Sequence, residues 1–347
     1  MKIIKHHLAS LEEVYTVCLL KLDGKTHLLA ATEAHGPCLL FQAPQWRAST
    51  VWNGPGGTMG MVPLEAKRGS FLAIQEFFPV FQSECAGIVY VEAGPALEKP
   101  WKTHRLLDLP FVHRFDVVSV EGQRYLVAAT LCGGKKFQED WSNPGAVYAG
   151  PVPGNRSGEW SLKPILEGLS KNHGLHITRL DEKLVVLVSG QEGLFRIDVP
   201  PQWRSDWHHE QLLDHEISDI STLDVDGNGC PEIISIEPFH GDGLVVYKQN
   251  SRGWESVLDM PMDFGHVVWG GPILGRPAIV AGNRGGEKEL FFLFPTFGKN
   301  RGMEKVVIDR GVGPAQIAVL NEPGRTLIFS ANHAAGEVAL YEIAQGS

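Results

Sequence analysis

Short apolar runs broken by glycine, proline and charged residues recur along the whole chain, and no long stretch carries apolar residues at helical period. The recurring phrase has a polar or histidine-bearing entry, an apolar strand, a tight charged or glycine turn, a second strand, a polar loop and a third strand. "FVHRFDVVSVEGQRYLVAATLCGG" from Phe111 and "LHITRLDEKLVVLVSGQEGLFRIDV" from Leu175 are two copies. "ISDISTLDVDGNGCPEIISIEPFHGDGLVVYK" from Ile217 and "GHVVWGGPILGRPAIVAGNRGGEKELFFLF" from Gly265 are two more. An outer-strand phrase such as "WKTHRLLD", "WHHEQLLD", "WESVLD" or "EKVVID" stands before most copies. The unit occurs about seven times at a spacing of roughly 50 residues, a period typical of propeller blades. Four short strands per unit, repeated in a ring, predict an all-β, seven-bladed β-propeller.

The blades are expected at about 12–55, 56–104, 105–165, 166–212, 213–257, 258–306 and 307–343, with boundaries good to several residues. The N-terminal "MKIIKHHL" resembles the outer-strand phrase "EKVVIDRG" and is expected to complete the last blade, which leaves no sheet edge open. A ring of this size takes up nearly all 347 residues, so 1–347 reads as one propeller domain. Loops at 77–86 and 132–145 are long, whereas the one at 190–193 is minimal.

Composition narrows the partners. A net charge of −9 without a basic stripe argues against nucleic acid, and no segment is apolar enough to span a bilayer. The N-terminal stretch lacks the apolar core of a signal peptide. The five cysteines, odd in number and mostly in or beside strands, read as reduced thiols. Together these point to the cytoplasm, a secreted form with its leader trimmed being the competing reading.

In a blade, the entry into the innermost strand and the loop between second and third strands lie on one face. That geometry sorts the histidines. Entry positions supply His113, His176 and His266, and second-to-third-strand loops supply His35, His240 and His333. The same loops carry Glu33, Gln75, Glu76, Lys135, Lys136, Glu237, Asn283 and Arg284. Six of 14 histidines converge on one rim, which reads as an active or binding site. For any single histidine of the six, the bland alternative is a structural hydrogen bond to a neighbouring blade. His6, His7, His104, His173, His208, His209 and His215 are expected on outer strands or blade connections, solvated or structural.

The opposite rim receives "DVDGNGCPE", with oxygen donors at alternate positions: Asp224, Asp226, Asn228, the Cys230 carbonyl and Glu232. That spacing suits a hard cation, Ca²⁺ before Mg²⁺, in a structural role, and is similar to the calcium loops of integrin-type propellers. Its competitor is a metal-free turn rich in Asp and Gly. CxxC zinc spacing, a GxSxG elbow and a phosphate loop are all missing. "GPGGTMG" near Gly54 reads as an inter-blade loop.

Histidines beside Lys, Arg and carboxylates suit proton transfer on a polar substrate, with a base, a cation on the developing enolate and an acid on the leaving oxygen: a β-elimination. "GIVYVEAGPALEKPWKTHRLLDLPFVHRF" resembles the stretch joining second and third blades in the propeller portion of the fungal aldos-2-ulose dehydratase/isomerases. "SIEPFHGDGLVVYK" and "GLHITRL…LVVLVSGQEGLFRIDV" resemble later blades of the same family, and the rhamnose–glucuronate lyases share its seven-bladed fold. "EPFHGD" and "PFVHRF" are the most specific pieces. The resemblance implies an enzyme that eliminates from a sugar, with His113 in the proton-abstracting position and His176 and His240 on family histidines. Arg114 flanks His113 in both, whereas the family's additional cupin-like domain has no counterpart, so the isomerisation half-reaction is not implied.

The expectation is therefore a carbon–oxygen lyase or dehydratase acting on a small sugar or oligosaccharide, a uronoside or keto-sugar. His113 is the expected base, with His176, His240 and His333 as acids or ligands. Lys136 and Arg284 are placed to hold an anion, and His35 and His266 to bind substrate. A divalent transition metal held by His113, His176, His240 and His266 is a further expectation. The rival class is a non-catalytic propeller binding carbohydrate or protein through aromatics such as Phe77, Phe78, Phe81 and Trp141.

Overall fold

In the computed structural model, residues 1–64, 69–94, 96–153, 160–203, 205–296 and 302–346 are described. They form 28 strands, β1–β28 in chain order, in seven four-stranded antiparallel sheets. One short 3₁₀ turn, His333–Ala335, is the departure from strand and loop. Blades 1 to 6 each take four consecutive strands, β2–β5 through β22–β25. The innermost strands are β2 (Val14–Leu22), β6 (Met61–Pro63), β10 (Val112–Val120), β14 (Gly174–Leu180), β18 (Asp219–Leu223), β22 (Gly265–Ile273) and β26 (Pro314–Glu322).

Blade 7 joins both ends of the chain. It orders β1 (Lys2–Ser10), β28 (Glu337–Ala344), β27 (Arg325–Asn332) and β26, with Lys2 opposite Ala344 and Ser10 opposite Glu337. Lys5 fastens the seam by pairing with Asp309 at 2.8 Å and with Glu337. The expected closure is thus the one found. The expected blade limits shift by a few residues, because outer strands such as β9 (Lys102–Asp108) and β13 (Lys163–Leu169) end the preceding blade.

Second strands of blades are pressed between neighbouring sheets on both faces, so their sequences are continuous apolar runs rather than alternating ones. "YLVAAT" in β11 (Gln123–Thr130) and "TLIFSAN" in β27 are buried throughout. Outer strands are wetted on one side, and β1 is largely exposed. The turn "GPGGTMG" joins β5 (Arg47–Trp52) to β6. A Cβ on Gly56 would sit 1.5 Å from the Ala34 carbonyl oxygen, and Gly57 has φ +67°, so glycine is required there to let the backbones meet.

Candidate metal and proton-transfer centre

Five blades deliver one polar side chain each to the mouth of the axial channel: Tyr15 from β2, His113 from β10, His173 from the entry to β14, His240 from the β19–β20 loop and His266 from β22. His113, His173 and His266 are 3%, 0% and 2% exposed, and His240 is half-buried. The His240 and His173 Nε2 atoms stand 3.3 Å apart. The His266 Nδ1–H donates to the Ala315 carbonyl at 2.8 Å, which fixes the tautomer and leaves Nε2 bare. One nitrogen from each of His173, His240 and His266 lies within 4.8 Å of the others. Metal–nitrogen bonds of about 2.0–2.1 Å place adjacent ligand nitrogens roughly 3.0–3.4 Å apart, so the 3.3 Å edge fits a coordination shell.

Tyr15 and His113 stand beside these three. The Tyr15 hydroxyl is 3.5 Å from His113 Nε2 and 3.4 Å from His266 Nε2. His113 packs on His173 with ring centroids 4.6 Å apart and on Phe77 at 5.2 Å. His113 Nδ1 and His173 Nδ1 are buried without a hydrogen-bond partner among the described residues. Burial holds every imidazole of the cluster neutral. It pushes His113, His173 and His266 well below the ordinary histidine value, with Arg114 or a neighbouring imidazole adding to the effect. Burial, then the charges of Arg284 and Arg114, takes His240 down to about 3. Burial also raises the Tyr15 phenol against the opposing pull of Arg114.

Arg114 forms the floor. Its guanidinium reaches from β10 across the channel to within 3.7 Å of the Asp219 carboxylate on β18 and 3.4 Å of the Met59 carbonyl. Beside the cluster, the His333 Nε2–H donates to Glu33 at 2.8 Å, and Arg284 donates to His333 Nδ1 at 2.9 Å. Arg284 also lies over the Phe264 ring, 5.6 Å from its centroid, and Phe264 packs on His240 at 4.9 Å. The roof is aromatic. Phe239 stacks on His240 at 4.1 Å and meets His173 edge-on at 5.5 Å, with Phe81 and Trp141 packed above it. Phe81 and His240 both hold left-handed backbone, φ +64° and +50°.

Of the residues singled out in the sequence, His113, His240 and His266 meet, and Arg284 and His333 flank them. His176 does not. It lies further along the channel, bonded to Thr222 Oγ1 at 3.0 Å, and burial lowers its pKa to about 4. The four-histidine metal set containing His176 is therefore replaced by the trio His173, His240 and His266. His35 is exposed on the rim against Phe78, at 4.0 Å. Lys136 is exposed on its loop, and the neighbouring Lys135 is the cation that turns inward, 3.2 Å over Trp141. Glu237 is occupied by Tyr247 at 2.9 Å and His215 at 3.1 Å. Ser330, Asn332 and Tyr341 repeat this structural arrangement in blade 7.

Sequence reasoning passed over His173 and Tyr15. His173 reads in the sequence as part of a blade connection, yet that connection dips into the channel mouth before β14 begins, and "NHG" ahead of a strand entry is the signal that marks it. Tyr15 sits one residue into β2, the same register as His113 in β10 and His266 in β22.

On the opposite side of blade 5, carboxylate oxygens of Asp224, Asp226 and Glu232 approach within 4.8 Å of one another. Backbone N–H groups of Gly227, Asn228 and Gly229 bind Asp224, and Cys230 N–H binds the Asn228 side chain. The Lys248 ammonium pairs with Asp226 and lies 3.6 Å from Glu232. A side-chain cation thus enters the shell in which Ca²⁺ was expected.

No protein-family model matches the sequence, and no curated protein matches it either. Solved structures do. The chain is similar to the PQQ-bound aldose sugar dehydrogenase of Streptomyces coelicolor, with 14% identity, 99% of each chain covered and a TM-score of 0.50. It is also similar to a 6-phosphogluconolactonase assigned in Bacteroides uniformis, with 12% identity, 94% and 95% coverage and a TM-score of 0.54. YCF48 of Cyanidioschyzon merolae matches at 12% identity, 97% and 98% coverage and a TM-score of 0.55. At these identities the likeness shows the propeller fold alone. Two of the three carry the names of sugar-acting enzymes, and none of the comparisons supports membership of the dehydratase/isomerase or rhamnose–glucuronate lyase families. No helix among the described residues is long and apolar enough to cross a membrane.

Proposed function

We propose that this protein is a carbon–oxygen lyase that eliminates an oxygen substituent from a uronoside or keto-sugar at the histidine centre. The observation that carries this reading is the pairing of three metal-competent imidazoles with a separate neutral histidine, His113, in one cluster at the channel mouth. His173, His240 and His266 would hold a divalent transition metal, leaving positions open as catalytic sites do. When bound, such a metal supplies Lewis-acid stabilisation of a carbonyl or carboxylate oxygen.

The chain's own groups divide the rest of the work. His113, held neutral by burial, keeps one ring-nitrogen lone pair, and its Nε2 stands 3.5 Å from the Tyr15 oxygen beside the trio. That lone pair takes the proton from the carbon beside the carbonyl. The C–H electron pair becomes the new C=C bond, the C–O bond breaks, and its electrons leave on the oxygen, which takes the proton back from the His113 imidazolium so that the histidine ends neutral. Arg284, oriented by the His333–Glu33 pair, holds the negative charge that develops. The resemblance of "PFVHRF" and "EPFHGD" to the eliminating propellers supports the same assignment. Five free thiols support a reducing, cytoplasmic setting. The half-buried aromatics pack on one another above the centre, which favours a covered active site over an open binding platform.

Incubation with a panel of glucuronides and keto-sugars, followed by absorbance near 235 nm, tests the reading. Wild type is expected to generate the conjugated product, and His113→Ala to lose on the order of 10²–10⁴ in turnover while staying folded. Wild-type turnover by folded His113→Ala would remove the base assignment.

A further inference from the structure

Above Phe239 and Phe81, which lie on the rim side of the histidine centre, packs one segment with a distinctive construction. Residues 131–144 join β11 to β12 (Gly145–Pro151). At the base, Leu131 and Cys132 are buried and the Gly133 N–H donates to the Asn143 carbonyl at 2.9 Å. The tip is tied to itself. Asp140 accepts from Lys136 N–H at 3.2 Å, Ser142 N–H at 3.0 Å and Ser142 Oγ–H at 2.6 Å, and the Lys135 ammonium donates to the Gln138 carbonyl at 2.6 Å. A loop with paired ends and its own internal bonds behaves as one compact body.

Among the described residues, the ring and cation contacts from this tip to other blades belong to Trp141 and Lys135. Trp141 meets Phe81 and Phe239 edge-on, each at 5.9 Å, and Lys135 lies 5.6 Å from the Phe81 centroid. Phe137 faces solvent, 57% exposed. Beneath Trp141 come Phe239 and then His240 and His173. Withdrawing the docked indole would release Phe239 and Phe81, the rings that cover His240 and His173, from their partner, and the internal bonds of the loop would survive the movement.

We propose that loop 131–144 is a hinged flap, docked through Trp141 on Phe81 and Phe239, whose opening admits ligands to the histidine centre. Gly133 and Gly134 form its first hinge. The inference rests on the histidine centre being the functional site, and it explains how a centre in which His113, His173 and His266 are almost fully buried can still take a substrate.

Peptide-resolved acylation of histidines by diethyl pyrocarbonate, on metal-free protein, reads the flap directly. Acylation of His173 and His240 is expected to rise about tenfold in Trp141→Ala, because two aromatic pairs no longer hold the closed state. Phe137→Ala, at the exposed tip, should match wild type, and acylation of exposed His6 serves as the reference for a folded protein. Equal His173 and His240 rates in wild type and Trp141→Ala overturn the flap. Zinc-loaded protein gives a separate arm: loss of zinc to excess chelator should accelerate by the same factor. Failure to bind zinc at all would count against the metal reading and leave the acylation result to judge the flap.

Discussion

His176 shows how one half-buried side chain can be functional in pattern and structural in place. It shares the strand-entry signature of His113 and His266, but its position two residues into β14 turns it toward Thr222 in the channel rather than toward the cluster. With a folded pKa of about 4 against about 6.5 unfolded, the unfolded chain binds more protons between those values. Stability contributed by keeping His176 neutral is therefore present above pH ~6.5 and lost as pH falls toward 4, at up to about 1.4 kcal/mol per pH unit. Asp116, raised by burial to about 6, opposes this trend below that pH. His176→Gln keeps a group able to bond Thr222 and should flatten the fall of melting temperature between pH 6.5 and 4.5. Parallel curves for the two proteins would show that His176 is not the group being titrated. At this scale the sequence was least informative, because which imidazoles meet depends on where each strand starts.

Element by element, the strands were legible because each carries its burial in its pattern: unbroken apolar runs in second strands and exposed, charged runs such as β1 at the outside. Loops were less so. The 224–232 loop reads as a calcium site from its own residues, yet Lys248, sixteen positions beyond Glu232 on β20 (Gly243–Asn250), supplies a competing cation that spacing cannot reveal. Removing the ammonium should expose the difference. Lys248→Met is expected to gain a calcium-dependent rise in melting temperature of several degrees, whereas wild type should respond by less than about 1–2 °C, the scale expected when few interactions change. A large calcium response in wild type would return the loop to the role its oxygen spacing suggests.

The whole molecule explains why the centre exists at all. Five of the seven blades supply a polar side chain each to the cluster at the channel mouth, and closure of blade 7 by β1 fixes their relative positions around the axis. The ring was legible from the repeat, and the seam from the outer-strand phrase at the N-terminus. The convergence of Tyr15, His113, His173, His240 and His266 became visible only when the blades were set around one axis. The proposed lyase depends on the trio of histidines holding a divalent transition metal. Titration of metal-free protein with Zn²⁺ against a chromophoric chelator tests it most directly. Wild type should show one tight site per chain, retained in Lys248→Met and lost in folded His173→Ala. Equal binding by wild type and His173→Ala, or no tight site in either, would rule out a metal held by the trio.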